Sequence, residues 1–181
     1  MTALIVVDMQ NDFANPQGSL YVDGGVDIIK PIQKFVYSEE IWDLVVFTQD
    51  WHPYNHVSFK IYPPHCIQNS KGADIVQQLQ VFNNIVQLQL KKGYDLSVDS
   101  LSAFANENGV ETGLDQILKS RGIKDVVIVG LALDLCVFYT AMDALKSYNV
   151  FVVKPLTRPI DKVKGLTALE KLVDKGVIII Q

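Results

Sequence analysis

Short runs of consecutive apolar residues recur along the chain and predict the strands of a buried β-sheet. The runs are continuous instead of alternating with polar residues, as expected for strands that helices cover on both faces. Six of them lie at residues 4–7, 44–48, 85–90, 126–129, 150–153 and 177–180. We therefore expect a six-stranded sheet that is mainly parallel.

The segments between these runs have helix-compatible patterns of polar and apolar residues. They predict helices at 26–38, 111–120, 136–147 and 161–174. Gly122 is a candidate C-cap for the second helix, and Asp161 is a candidate N-cap for the last. The alternation of strands and helices indicates a three-layer α/β/α sandwich. Because no linker, repeat or low-complexity segment interrupts the pattern, we expect residues 1–181 to form one domain.

Composition and charge narrow the classes of partner. The 181 residues carry a net charge of −4, and the 16 lysines and arginines are scattered. A chain without a basic patch is not attracted to phosphate backbones, so we expect no nucleic-acid partner. No apolar stretch is long enough to span a membrane, and the first apolar run is too short for a signal peptide. Cys66 and Cys136 alone do not make a disulfide framework, which favours a cytoplasmic location.

All three histidines fall within fourteen positions, next to Asp50. Asp50 and His52 are two positions apart in an extended segment, so both side chains project to one side and can hold a metal ion. Prolines restrict the loop that leads to His65, the candidate third ligand. Two histidines and a carboxylate suit Zn²⁺, Fe²⁺ or Mn²⁺ in an open, catalytic site. We expect His56 to lie outside this group; the alternative is that all three are loop histidines with unrelated roles.

Three long irregular segments follow predicted strand ends, at 9–25, 51–72 and 92–110. In open α/β sheets such segments bind ligands. Asp8, Lys92 and Cys136 stand at strand ends. Cys136 marks the passage from strand to helix, where the helix macrodipole acidifies a thiol and unpaired N–H groups can receive an oxyanion. Each residue also has an interpretation without a catalytic role. Asp8 can be a helix cap or turn residue, Lys92 a solvated lysine at a strand end, and Cys136 a buried structural cysteine.

Six motifs occur in order from one end of the chain to the other. They are LIVVDMQNDF at 4–13, GSL at 18–20, TQDWHP at 48–53, PPHC at 63–66, KG at 92–93 and GLALDLCV at 130–137. Together they resemble the nicotinamidase/pyrazinamidase branch of the isochorismatase-like cysteine hydrolases. Any one motif is weak, whereas six in the same order are specific.

The resemblance implies two sets of site residues. The implied catalytic triad is Asp8, Lys92 and Cys136, and the implied metal ligands are Asp50, His52 and His65. It also implies a cis peptide bond between Leu131 and Ala132, which would turn the Ala132 N–H toward the Cys136 N–H to form an oxyanion hole.

The same resemblance implies an apolar pocket around the ring of a substrate. Its implied members are Phe13, Leu20, Tyr62, Phe104 and Leu131. Many relatives carry tryptophan where this chain has Tyr62, which offers a smaller flat face and an added hydroxyl.

The implied activity is hydrolysis of nicotinamide to nicotinate and ammonia through a thioester on Cys136, as a step of NAD salvage. The implied cofactor is one divalent metal ion, with zinc favoured and iron or manganese as alternatives. A second hypothesis is an amidohydrolase for another small amide, such as a ureido, carbamoyl or pyrazinamide-like compound. A third is a catalytically silent, metal-binding member of the family. Because relatives range from monomers to tetramers, a homo-oligomer is compatible with the sequence.

Overall fold

A six-stranded, wholly parallel sheet forms the centre of the protein. The computed structural model describes residues 1–38, 42–80 and 85–181. The strands are β1 (Thr2–Val7), β2 (Trp42–Asp50), β3 (Gln87–Lys92), β4 (Asp125–Leu131), β5 (Asn149–Arg158) and β6 (Ile178–Ile180). Their order in the sheet is β3-β2-β1-β4-β5-β6. The predicted parallel sheet is confirmed.

Helices cover both faces of this sheet. They are α1 (Asn11–Ala14), α2 (Gly25–Ser38), α3 (Leu114–Ser120), α4 (Cys136–Ala144) and α5 (Lys162–Asp174). Short 3₁₀ helices lie at Val57–Lys60, Lys71–Ala73 and Gln77–Leu79. Within the described ranges, no helix is long and apolar enough to cross a membrane.

Alternate residues of the central strands pack on opposite faces, as a pleated strand requires. Leu4 and Val6 of β1 join the apolar cluster that contains the buried side of α2. Ile5 and Val7 join the cluster on the other face, which contains the buried residues of α3, α4 and α5. The continuous apolar runs therefore fill two cores, and the predicted three-layer α/β/α sandwich is confirmed.

Several predicted boundaries moved: the helix predicted at 136–147 ends at Ala144, the strand predicted at 150–153 runs from Asn149 to Arg158, and one further helix and strand moved for identifiable local reasons. The helix predicted at 111–120 begins at Leu114, because Gly113 has a left-handed φ of 88° and Glu111 forms a β-bridge with Ala105. The strand predicted at 85–90 runs instead from Gln87 to Lys92. The prediction from apolar residues is wrong by two positions because β3 is an edge strand, and its exposed positions are polar.

Both predicted helix caps are present. Gly122 has a left-handed φ of 67°, and the following Ile123 N–H donates to the Leu118 carbonyl, which closes the end of α3. The Asp161 carboxylate accepts the N–H groups of Val163 and Lys164 at the start of α5.

The strand order creates a crevice between the carboxyl ends of β1 and β4. The chain that leaves β1 continues to α2 on one face, whereas the chain that leaves β4 continues to α4 on the other face. Such a reversal of direction is where open α/β sheets bind ligands. Asp8 follows β1 directly, and Cys136 is the first residue of α4. The fold therefore brings these two residues to the edges of one crevice.

Candidate active site

Lys92 lies at the centre of a buried polar cluster at this edge of the sheet. Its side chain is completely buried, and its Nζ lies 2.9 Å from Asp8 Oδ2 and 2.5 Å from Asp50 Oδ1. The same ammonium group donates to the Ser100 carbonyl at 2.9 Å and to Cys136 Sγ at 3.6 Å. One cation therefore contacts two carboxylates and the thiol. The structure brings together all three residues that the sequence singled out at strand ends.

The charges of this cluster follow from burial and close contact. Burial acts to lower the pKa of Lys92, but Asp50 and Asp8 outweigh it and raise that pKa well above its usual range. The ammonium therefore stays charged. Burial raises the pKa of the Asp8 carboxyl despite the opposing Lys92 charge. A carboxylate with a raised pKa is a stronger base than an exposed aspartate.

The prediction of an acidified cysteine was wrong. Burial raises the pKa of the Cys136 thiol well above its usual range; Lys92 opposes this shift, whereas Asp8 and Asp50 add to it. The helix N-terminus was visible in the sequence, but the two carboxylates and the depth of burial were not. A thiol in this environment rests protonated, so its reaction as a nucleophile requires a nearby base.

Asp50, His52 and His65 form a group whose geometry suits a metal ion. One ligand atom from each lies within 4.8 Å of the others. The Nδ1 atom of His52 donates to the Gly93 carbonyl at 2.8 Å, and that of His65 donates to the Pro63 carbonyl at the same distance. These bonds fix each ring and leave Nε2 as its ligand atom, which is the usual support of metal-binding histidines. The residues therefore fit a divalent metal.

The third histidine lies beside this group. The His56 ring stacks on His52, with centroids 3.9 Å apart, and its Nδ1 bonds to Ser58 Oγ at 2.7 Å. His56 also approaches Asp99, so that His52, His56 and Asp99 make a second cluster of ligand-type atoms. As expected, His56 is not a member of the group formed by Asp50, His52 and His65.

A cavity of about 430 Å³, including its open mouth, connects the Cys136 thiol to the group of Asp50, His52 and His65, which we call the metal-type group. Asp8, Asp50, His65 and Cys136 line it together with four of the five predicted pocket residues, Phe13, Leu20, Tyr62 and Leu131. The prediction for Phe104 was wrong, because this ring does not line the cavity. It packs in the core near Tyr148, with ring centroids 6.1 Å apart.

The predicted cis peptide bond is present between Leu131 and Ala132. It lies at the end of β4, and Ala132 lines the cavity with Cys136. As the first residue of α4, Cys136 has an N–H without an acceptor inside the helix.

Several polar residues that support the site escaped the sequence analysis. Gln10 binds the main chain of Asp50, Thr48 binds Asp8, and the Asp12 carboxylate accepts the Cys66 N–H beside His65. Their signal was polar side chains adjoining apolar strands, within the motifs at 4–13 and 48–53. Residues of this kind resemble ordinary loop residues until the strand register is known.

Comparison with known proteins finds similar sequences and similar folds. The isochorismatase domain matches residues 2–181. Nicotinamidase from Acinetobacter baylyi is 38% identical to this chain, over 88% of this chain and 82% of the relative. The crystal structure of PnC1 from L. infantum in complex with nicotinate has a TM-score of 0.95 and 40% identity, and covers 100% of this chain and 92% of that one. The crystal structure of the pyrazinamidase of Pyrococcus horikoshii in complex with zinc has a TM-score of 0.88 and 36% identity. The match covers 99% of this chain and 98% of that one.

Proposed function

Because this chain belongs to the isochorismatase family, we propose that it hydrolyses nicotinamide to nicotinate and ammonia, as a step of NAD salvage. The observation that carries the proposal is one cavity lined by Asp8 and Cys136, which Lys92 contacts from behind, and by Asp50 and His65 of the metal-type group. The first group suits nucleophilic attack on an amide, and the second suits a metal that orients a heteroaromatic ring.

In the first half of the reaction, Asp8 accepts the thiol proton and Cys136 Sγ attacks the amide carbon. Asp8 becomes neutral when it takes the proton, and Lys92 stabilises the negative charge that this transfer leaves on Cys136 Sγ. The N–H groups of Cys136 and Ala132 receive the developing oxyanion, and removal of one such donor costs about 3 kcal/mol of transition-state stabilisation in other hydrolases. Asp8 returns its proton to the leaving nitrogen, the carbon–nitrogen bond breaks, and ammonia departs from a thioester.

In the second half, water attacks the thioester carbon. Asp8 accepts a proton from this water, and the carbon–sulfur bond breaks. The proton then returns to Cys136, whose raised pKa favours the resting thiol. The products are nicotinate and the regenerated protein, so the cycle consumes one amide and one water molecule.

Asp50, His52 and His65 would hold the divalent metal. When bound, the metal would supply a Lewis-acidic position for the pyridine nitrogen, directly or through water, so that the amide points toward Cys136. Phe13 and Tyr62 offer flat apolar surfaces to the ring from the walls of the cavity.

The test is ammonia release from nicotinamide by the purified, metal-loaded protein, with nicotinate measured by chromatography. We expect Cys136→Ala to abolish release. Cys66→Ala is the matched control, because Cys66 is the other buried free cysteine and does not line the cavity. No release by the unaltered protein, with metal bound, would contradict the proposal and favour another small amide or a silent family member.

We propose zinc as the metal, since two imidazoles and a carboxylate with an open position are typical of catalytic zinc sites. Elemental analysis of the purified protein, followed by reconstitution with zinc, iron and manganese separately, tests this choice. We expect Asp50→Ala to reduce bound metal. If activity were highest with iron or manganese, that metal and not zinc would be the cofactor. Unchanged metal content in Asp50→Ala would show that Asp50 is not a ligand.

We also propose that residues 1–181 act as one domain in the cytoplasm, where the buried free thiols Cys66 and Cys136 stay reduced.

A further inference from the structure

Thr48 makes a two-point contact with Asp8. Both residues are completely buried. The Thr48 hydroxyl donates to Asp8 Oδ1 at 2.6 Å, and its Oγ1 atom accepts the Asp8 backbone N–H at 3.0 Å. One hydroxyl therefore ties the carboxylate to the backbone of the same residue and limits rotation of the Asp8 side chain. Asp8 also has a φ of 45°, a left-handed conformation that residues other than glycine seldom adopt outside constrained sites.

The second oxygen of Asp8 lacks such a contact. A lysine ammonium has three hydrogens, and those of Lys92 have acceptors in Asp50 Oδ1, the Ser100 carbonyl and Cys136 Sγ. Asp8 Oδ2 lies 2.9 Å from Lys92 Nζ as an ion pair. It is nevertheless buried without a directed hydrogen bond from any residue that the structure describes.

Cys136 is within reach of the Asp8 carboxylate. Ligand-type atoms of Asp8, Asp50 and Cys136 all lie within 4.8 Å of one another. Thr48 occupies Oδ1, whereas Oδ2 has only the Lys92 ammonium beside it among the described residues. The oxygen that is open to a new proton is therefore Oδ2.

We propose that Thr48 is a positioning residue that selects Oδ2 of Asp8 as the proton-accepting atom. The inference rests on the proposed function. With Oδ1 held by Thr48, Oδ2 accepts the proton as the Cys136 sulfur–hydrogen bond breaks and the sulfur–carbon bond forms. The same atom then gives the proton to the nitrogen as the carbon–nitrogen bond breaks. Thr48 contacts neither substrate nor thiol in this scheme and acts only through Asp8.

Thr48→Val tests the inference, because it removes the hydroxyl and nearly preserves the shape of the side chain. Loss of a hydrogen bond to a charged group corresponds to a decrease in kcat of roughly 10- to 100-fold. We expect the KM for nicotinamide to stay within about twofold, because Thr48 is absent from the cavity wall. Thr48→Ser keeps the hydroxyl and should restore most of the kcat.

Thr157→Val is the matched control. Thr157 is a buried β-strand threonine whose hydroxyl donates to the Lys154 carbonyl, and it does not line the cavity. This variant should keep the kcat of the unaltered protein. If valine prevents folding at position 48, Thr48→Ala removes the same hydroxyl with less bulk and carries the same expectation.

Alkylation of Cys136 by iodoacetamide gives a readout that does not depend on the substrate. We expect the rate to fall in Thr48→Val and to recover in Thr48→Ser. Unchanged kcat and alkylation rate in Thr48→Val would overturn the inference, as would a loss that Thr48→Ser does not restore. If the unaltered protein released no ammonia but Thr48→Val still slowed alkylation, the proposed function would fail while the role of Thr48 in thiol activation stood.

Discussion

The side chain of Gln10 forms hydrogen bonds with both the N–H and the carbonyl group of Asp50. Its Oε1 accepts the Asp50 N–H at 2.8 Å, and its Nε2 donates to the Asp50 carbonyl at 2.7 Å. The same Nε2 also donates to the Ala73 carbonyl at 2.8 Å. This completely buried glutamine pairs with the end of β2 as a neighbouring strand would, and thereby fixes the residue that contacts both Lys92 and the metal-type group.

Gln10→Met should weaken metal binding, because it keeps the length of the side chain but leaves the Asp50 N–H and carbonyl without partners. Loss of such supporting contacts typically costs about 10- to 100-fold in metal affinity. Titration of metal-free protein with zinc, followed by calorimetry, measures the change.

Gln49→Met is the control for Gln10→Met. Gln49 is also a buried glutamine and donates to the same Ala73 carbonyl, but its side chain makes no hydrogen bond to Asp50. We expect this variant to bind zinc as the unaltered protein does. Equal losses in both variants would show that general destabilisation, and not the contact with Asp50, weakens the metal site.

The sequence predicted the positions of Asp8 and Cys136 because each stands where an apolar run ends, and that pattern is visible without a structure. Thr48 and Gln10 could not be assigned in this way. Their roles depend on the register of β1 against β2, in which Val6 pairs with Phe47, so that Thr48 comes to lie beside Asp8. Register is fixed by packing of the whole sheet and leaves little local trace.

The errors have a similar origin. Phe104 was placed in the pocket by analogy, but an apolar ring packs equally well in the core beneath the cavity, and sequence does not distinguish the two sides. The acidified Cys136 was predicted from a local feature, the start of α4. The pKa of the thiol is raised instead by burial and by the carboxylates of Asp8, which follows β1, and Asp50, at the end of β2. Both carboxylates are distant from Cys136 in sequence.

Lys92→Met should abolish turnover and destabilise the protein. The substitution leaves two buried carboxylates, Asp8 and Asp50, without their shared cation. Removal of one partner from a buried ion pair costs about 3 to 5 kcal/mol of unfolding free energy. Urea unfolding at neutral pH measures the loss, and ammonia release measures the activity.

Lys91→Met serves as the control for Lys92→Met. Lys91 is exposed, and its Nζ lies 3.4 Å from the centroid of the Trp51 ring. Exposed contacts of this type contribute at most about 1 kcal/mol, so Lys91→Met should remain folded and active. A Lys91 variant as impaired as the Lys92 variant would argue against a special role for the buried cation.

Cys136 should react with iodoacetamide much faster than Cys66 in the folded protein. Cys136 lines the cavity beside Asp8 and Lys92, whereas Cys66 is completely buried and absent from the cavity wall. Burial raises the pKa of both thiols, so the expected difference rests on access to the reagent and on Asp8 as a neighbouring base at Cys136. Peptide mass spectrometry after timed labelling separates the two sites, and denatured protein provides the reference in which both react. Equal rates in the folded state would remove the support for an accessible nucleophile at Cys136.

Tyr62→Trp should strengthen binding of nicotinamide. The Tyr62 ring lines the cavity edge-on to His65, with centroids 6.2 Å apart, so a larger indole at this position would extend the flat wall that faces the substrate ring. A whole aromatic contact contributes about 0.5 to 1.5 kcal/mol and the tyrosine ring already supplies part of it, so we expect the KM to fall by roughly twofold. We expect kcat to change little, because Tyr62 makes no hydrogen bond to Asp8, Lys92 or Cys136 in the described structure. Tyr54→Trp, in the same loop but 77% exposed, should leave KM unchanged. An unchanged or higher KM in Tyr62→Trp would mean that the phenol hydroxyl of Tyr62, and not the area of its ring, determines the affinity for nicotinamide.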